Sequence, residues 1–173
     1  MANFIYNAAA PPLIPTNLSI IQNPLPANGP GVELNTAVNL RNANWPEVPT
    51  GQVLPAGAMP GIFTVGQFQC MCIALAIFPN PAPPQWTQCH LAHVSHKNHA
   101  GIQNVINQLN AINHGQAYVV IGGKVSMKES MEFIRNRFLD SAFPPVQVWV
   151  YSAAEQMHFG FGIRSDGLFG QVT

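Results

Sequence analysis

The chain has 173 residues, 47% of them hydrophobic and only 8% charged, with Lys+Arg and Asp+Glu balanced at 7 each. That length supports one domain with a sizeable core plus an appendage, although the charge falls far below the usual share of a soluble domain. The lack of a basic excess to neutralise a phosphate backbone argues against non-specific nucleic-acid binding, and no stretch approaches the length of a membrane-spanning helix.

The opening residues, MANFIYNAAAPPLIPTN, lack the basic start and unbroken apolar run of a secretory signal. Synthesis in the cytoplasm is expected, with any delivery into host cells left to a specialised system. An odd count of 3 cysteines fits reduced thiols better than a disulfide framework. From Ala8 to Pro60 the chain is dense in Pro, Asn and Gly, which reads as an extended arm. One patch in it, GVELNTAVNL, alternates Val32, Leu34 and Thr36 against Glu33 and Asn35, as an edge-pairing strand would.

Residues 62–78 predict strand with a glycine interruption, FPNPAPPQWTQ a proline-rich turn, and CHLAHVSH a second strand forming a hairpin with the first. Residues 100–113 place Ile102, Val105, Ile106, Leu109 and Ile112 on one helical face, with His99 at the start as cap and His114-Gly115 as the stop. QAYVVIGG predicts a buried strand ending in its double glycine. SMKESMEFIRNRFLDSAF predicts a second helix burying Met131, Ile134, Phe138 and Leu139, stopped by Pro144-Pro145. VQVWVYS and MHFGFGIRSDGLFGQV predict a strand and a closing hairpin that turns at Ser165-Asp166-Gly167. Helices interleaved with strands make the class α/β or α+β.

Two thiols lie one residue apart in TVGQFQCMCIALAIF. Both faces of that strand are apolar, so its interior is buried and Cys72 reads as a small packed hydrophobe. Cys70 stands at the polar, glycine-containing edge, where a nucleophile has access to solvent and substrate.

The stretch TVGQFQC resembles the catalytic motif of the chemoreceptor glutamine deamidases, the CheD family, whose fold and Cys–His site are shared with deamidating toxins of the cytotoxic necrotizing factor type. Thr64, Gly66 and Cys70 match its T-x-G-x-x-x-C pattern, and LAHVSH puts His93 at the family's histidine. AYVVIGG, MKESMEFIRNRFL, PPVQVWVYS and SDGLFGQV follow in the family's order. Phe68-Gln69 replaces the family's Gly-Ser, and Ser95-His96-Lys97 replaces its Leu-Pro.

The resemblance implies a β-sandwich-like core of mixed strands flanked by helices, with residues 1–55 as a Pro-rich arm and 56–173 as the deamidase domain. It also implies a protein glutamine deamidase with Cys70 as nucleophile, His93 as base and Thr64 orienting the histidine. Backbone N–H groups near Gln69 and Cys70 would hold the oxyanion, Gly66 would shape the turn, and Trp86 would form the substrate rim. A thiolate attacks the amide carbon and an imidazolium protonates the departing ammonia, so no cofactor and no metal is required.

The partner is a protein substrate: a host protein such as a GTPase, if the chain is a bacterial effector or toxin, or a chemoreceptor. No nucleic acid or membrane is expected. A non-catalytic binding module on the same fold is the alternative. Cys89, His90, His93, His96 and His99 offer zinc-type ligands, but neither strand nor helix spacing gathers four of them. Strand alternation puts His93 on one face and His90 and His96 on the other. Gly122-Gly123 lacks the company of a phosphate loop and reads as a place of close backbone approach.

Overall fold

The computed structural model describes residues 33–67, 69–77, 88–113, 117–145, 147–153, 160–165 and 169–172. The proline-rich hairpin tip with Trp86, Phe68, His114-Gly115, His158 and the Asp166-Gly167 part of the last turn lie outside them. In chain order the elements are β1 (Glu33–Asn35), α1 (Ala37–Asn42), β2 (Val53–Pro55), β3 (Gly61–Thr64), β4 (Cys70–Ile77) and β5 (Gln88–Ser95). There follow α2 (His99–Ile112), β6 (Ala117–Lys124), a 3-10 turn at Val125–Met127, α3 (Lys128–Leu139), β7 (Gln147–Ala153), β8 (Gly160–Arg164) and β9 (Phe169–Val172).

The strands form a 4-stranded sheet in the order β1-β9-β8-β3 and a 5-stranded sheet in the order β2-β5-β4-β6-β7. Neighbours are antiparallel except for β1–β9 and β6–β7. The class is α+β.

The double glycine reports how the layers stack. A Cβ on Gly122 would lie 2.8 Å from the Cys72 sulfur and 3.1 Å from the rings of Phe161 and Phe169, so this face of the larger sheet meets the smaller sheet. A Cβ on Gly123 would lie 3.0 Å from Met71 and 3.2 Å from the Met131 sulfur, so the other face meets α3. Met71 through Ala76 are all buried because β4 has strands on both sides, a sheet over one face and helices over the other. The expected strand end at the double glycine is therefore displaced: β6 runs through both glycines to Lys124, and the missing side chains admit the neighbouring layers.

α2 buries Ile102, Val105, Ile106 and Leu109, as the periodicity requires. Its cap is Asn98, whose Oδ1 accepts from the Gly101 N–H at 2.9 Å, not His99, which stacks on Phe133 instead. α3 buries Met131, Ile134 and Phe138, and Leu139 packs against the core from its edge.

The GVELNTAVNL patch is strand only over Glu33–Asn35, where it pairs with β9 at the sheet edge. Thr36 then turns its hydroxyl to the Asn39 N–H at 3.2 Å and starts α1, so a β-branched residue read as strand acts as a helix cap.

Residues 33–55, within the expected arm, are woven into both sheets. β1 and β2 are sheet strands and Val48 is a core residue. Trp45 packs against Gly61, where a Cβ would collide with its ring. Arg41 grips Glu47 through two bonds of 2.7 and 3.0 Å. Among the described residues no helix is long and apolar enough to cross a membrane.

Candidate active site

The segment from Pro46 to Ala56 passes from one sheet to the other. Its first part bonds to β3: Phe63 N–H donates to the Pro46 carbonyl at 3.0 Å and Val48 N–H to the Phe63 carbonyl at 2.8 Å. Its second part bonds to β5: Gly51 N–H donates to the His93 carbonyl at 2.6 Å, His93 N–H to the Gln52 carbonyl at 3.2 Å, and Ala56 N–H to the Cys89 carbonyl at 2.8 Å. The crossing falls at Val48–Thr50, and the candidate catalytic side chains gather there.

His93 is buried, and its ring orientation is fixed from the opposite sheet. Thr64 Oγ1 lies 2.7 Å from His93 Nδ1 and donates to the Val48 carbonyl at 2.9 Å, and that same carbonyl lies 3.3 Å from Nδ1. A carbonyl only accepts, and the Thr64 hydroxyl hydrogen is already used on it. Nδ1 therefore carries the ring proton and donates to Thr64, which leaves the Nε2 lone pair as the basic site.

His93 lies directly across the ladder from Cys72, and Cys70 lies across from Ser95, so all three side chains share the face turned to the smaller sheet. Both the N–H and the C=O of His93 point to the 51–52 backbone, which makes Cys72–His93 a non-hydrogen-bonded pair with closely set side chains. Pairing alone would thus favour Cys72 as the nucleophile.

Burial reverses that preference. Cys72 is 0% exposed, and desolvation pushes its thiol far above the ordinary range despite backbone contacts to Gly122 and its own peptide. Cys70, at the strand edge, is only partly buried. His90 projects to the opposite face beside Leu75, where its Nδ1 is buried without a partner.

Thr50 joins the two candidate groups. Its Oγ1 lies 3.4 Å from His93 Nε2, and the same hydroxyl bears on Cys70, where it favours the thiolate. Among the described residues no hydrogen bond joins the Cys70 thiol to Nε2, and the hydroxyl that bears on both groups is that of Thr50. Burial raises the Cys70 pKa, an effect the Thr50 hydroxyl partly offsets. Burial lowers the His93 pKa, partly offset by the Val48 carbonyl and the Glu47 charge. Both shifts oppose charge separation and favour thiol and imidazole over thiolate and imidazolium.

The loop that delivers Cys70 is pinned at its end. The Gln69 carbonyl accepts from both the His96 N–H at 3.1 Å and His96 Nδ1–H at 2.9 Å, which turns the Cys70 N–H away from β5. His96 is thus not only a surface polar residue but the clasp on the peptide before Cys70. Gly66 has φ +78°, the left-handed conformation that favours glycine in this turn. Gln67 is buried with both ends of its amide unpartnered. Trp86 lies outside the described residues. Among the described residues no group of three or more His, Cys, Asp or Glu is placed to hold a metal ion.

The structure bonds Thr64 to His93 and sets Cys70 on the same sheet face on the neighbouring strand, with Gln69 adjoining, and adds two residues missed in the sequence, Val48 and Thr50. Both sit in the proline-rich stretch VPTGQ, where no periodicity marks them; the only available signal was a Thr-Gly turn pair. No protein-family model and no curated protein matches the chain.

Proposed function

We propose that this protein is a cysteine-dependent amidohydrolase that converts glutamine to glutamate on a protein substrate, on a fold akin to the chemoreceptor deamidases and necrotizing-factor toxins. The observation that carries the reading is the 2.7 Å contact of Thr64 Oγ1 with His93 Nδ1, which commits the ring proton to one side and leaves Nε2, 3.4 Å from the Thr50 hydroxyl, as the basic nitrogen on the sheet face that Cys70 shares.

On this reading His93 Nε2 receives the Cys70 proton as sulfur attacks the glutamine amide carbon. The tetrahedral oxyanion then collapses, the imidazolium gives its proton to nitrogen, and ammonia leaves a thioester on Cys70. Water, deprotonated by the neutral imidazole, attacks the thioester and releases glutamate and the free thiol. Thr64 acts through His93 by holding its tautomer, as the third member of a triad does. The peptide at Gln69–Cys70, fixed by His96, is the natural oxyanion donor.

The low surface charge and the long Pro/Asn-rich N-terminal stretch favour an effector acting on a host protein over a chemotaxis enzyme acting on receptors. The test is mass spectrometry of candidate proteomes, host lysate and purified chemoreceptors included, after incubation with wild type or Cys70→Ala. Gln-to-Glu conversion with ammonia release by wild type alone supports the reading; equal spectra from both proteins refute it.

A further inference from the structure

The proposed chemistry requires a proton to pass from Cys70 to His93, yet the resting side chains do not bond to each other. We propose that Thr50 carries that proton, so that the working unit is Cys70–Thr50–His93, oriented from behind by Thr64. This rests on the Cys–His reading above and specifies the path inside it.

Three observations converge on Thr50. Its Oγ1 lies 3.4 Å from Nε2, long for a hydrogen bond but within reach of the small closure expected when substrate binds, and the same hydroxyl bears on the Cys70 thiol, partly offsetting its burial. Its position is fixed by backbone bonds to the residue whose ring it faces: Gly51 N–H donates to the His93 carbonyl at 2.6 Å and His93 N–H to the Gln52 carbonyl at 3.2 Å. The turn itself is closed by Gln52 N–H donating to the Pro49 carbonyl at 3.2 Å, with Gly51 at φ +82° supplying the left-handed conformation at its third position. A side chain at the second position of a surface turn has no packing duty, and Thr50 is exposed as a residue although its hydroxyl faces the dyad.

The transfer balances. Cys70 S–H donates to Thr50 Oγ1 while the Thr50 O–H donates to Nε2. As the sulfur attacks, its proton moves to the Thr50 oxygen and the original hydroxyl proton moves to Nε2. Thr50 ends as a neutral hydroxyl, its new hydrogen directed to sulfur. The charges that appear, thiolate and imidazolium, are separated by a bridge that hydrogen-bonds to both, which is how a neutral resting pair ionises in a buried setting.

The test is the rate at which iodoacetamide alkylates Cys70 as a function of pH, read at Cys70 by peptide fragmentation, in the full-length protein. Thr50→Val is expected to slow alkylation near pH 7 by about tenfold or more and to replace a two-group pH profile by that of a lone thiol. Thr50→Ser, which keeps the hydroxyl, should restore rate and profile, and thermal unfolding of both Thr50 variants should be unchanged because the turn is at the surface. His93→Gln should slow alkylation comparably, and combining it with Thr50→Val should add little, since one path is broken twice. Slowing by His93→Gln with wild-type rates in Thr50→Val overturns the relay and leaves the dyad. Wild-type rates in both variants overturn the dyad together with the relay.

Discussion

His93 and Thr64 are bonded across the interface between the two sheets, Nδ1 to Oγ1, at 2.7 Å. Removing the hydroxyl while keeping the shape, as in Thr64→Val, loosens the hold on the tautomer and leaves the more distant Val48 carbonyl as the remaining partner of Nδ1. Turnover on an accepted protein substrate is expected to fall about ten- to a thousandfold, on the order of 1.4 to 4 kcal/mol of transition-state stabilisation. Thermal stability should drop only modestly. Unaltered turnover would assign the orienting role to the Val48 carbonyl alone.

The two thiols on the inter-sheet face should separate cleanly. Cys70→Ser is expected to abolish turnover without unfolding the protein, because oxygen here is a far weaker nucleophile than sulfur. Cys72→Ser should instead cost about 1–3 kcal/mol of stability by burying a hydroxyl among apolar side chains, with activity preserved in the folded fraction. Chemical denaturation and turnover measured together decide the assignment; active Cys70→Ser would reverse it.

The histidines differ by face. His93→Ala should eliminate turnover. His90→Leu should keep it and be neutral or stabilising by about 1 kcal/mol, since it removes a buried ring nitrogen that has no partner. Loss of turnover in His90→Leu, with the fold intact, would contradict the strand register.

Stability should depend on pH with a definite sign. Burial holds the pKa of both His90 and His93 below the ordinary histidine value. As pH falls through that ordinary value the unfolded chain takes up protons that the folded one refuses, so stability is full above it and is lost on the way down to the folded values. The melting temperature should decline between about pH 7.5 and about pH 5, and His90→Leu should flatten the slope. Activity should follow the same histidine chemistry: the acid limb of the pH–rate profile, where His93 can no longer accept a proton, lies below the ordinary histidine pKa.

Gly122→Ala tests the layer contact. Its methyl would meet the Cys72 sulfur at 2.8 Å and two phenylalanine rings at 3.1 Å, with sheet on one side and strand on the other. A loss of about 1–3 kcal/mol is expected, seen as a melting temperature lower by about 2–4 °C per kcal/mol.

Much of this site was legible because strands alternate. The parity of CHLAHVSH separates His93 from His90, and the polar edge of TVGQFQC separates Cys70 from Cys72, without any tertiary information. Helix α2 was legible from its five apolar positions, though its cap was misplaced by one residue because Asn98 and His99 are adjacent polar candidates. Val48 and Thr50 were not legible, since their roles come from a backbone crossing between sheets that leaves no pattern in a proline-rich stretch. Helix α1 was hidden because Thr36 suits a strand and a helix cap equally. The direction in which burial moves the Cys70 and His93 pKa values was hidden for a further reason: it depends on how deeply the fold buries each group, and sequence spacing carries no depth.

The crossing segment and the Thr64–His93 bond have a consequence for when the chemistry becomes available. Val48, Thr50, Thr64, Cys70 and His93 all lie in the first part of the chain, but β3, which carries Thr64, is paired in its sheet with β8, drawn from Gly160–Arg164. A growing or threaded chain that has not yet supplied those last strands possesses every reactive atom and no working arrangement of them. The proposed amide chemistry therefore switches on only with the final docking of the C-terminal hairpin, and a truncation before Gly160 should leave a chain with five intact site residues and an inert thiol.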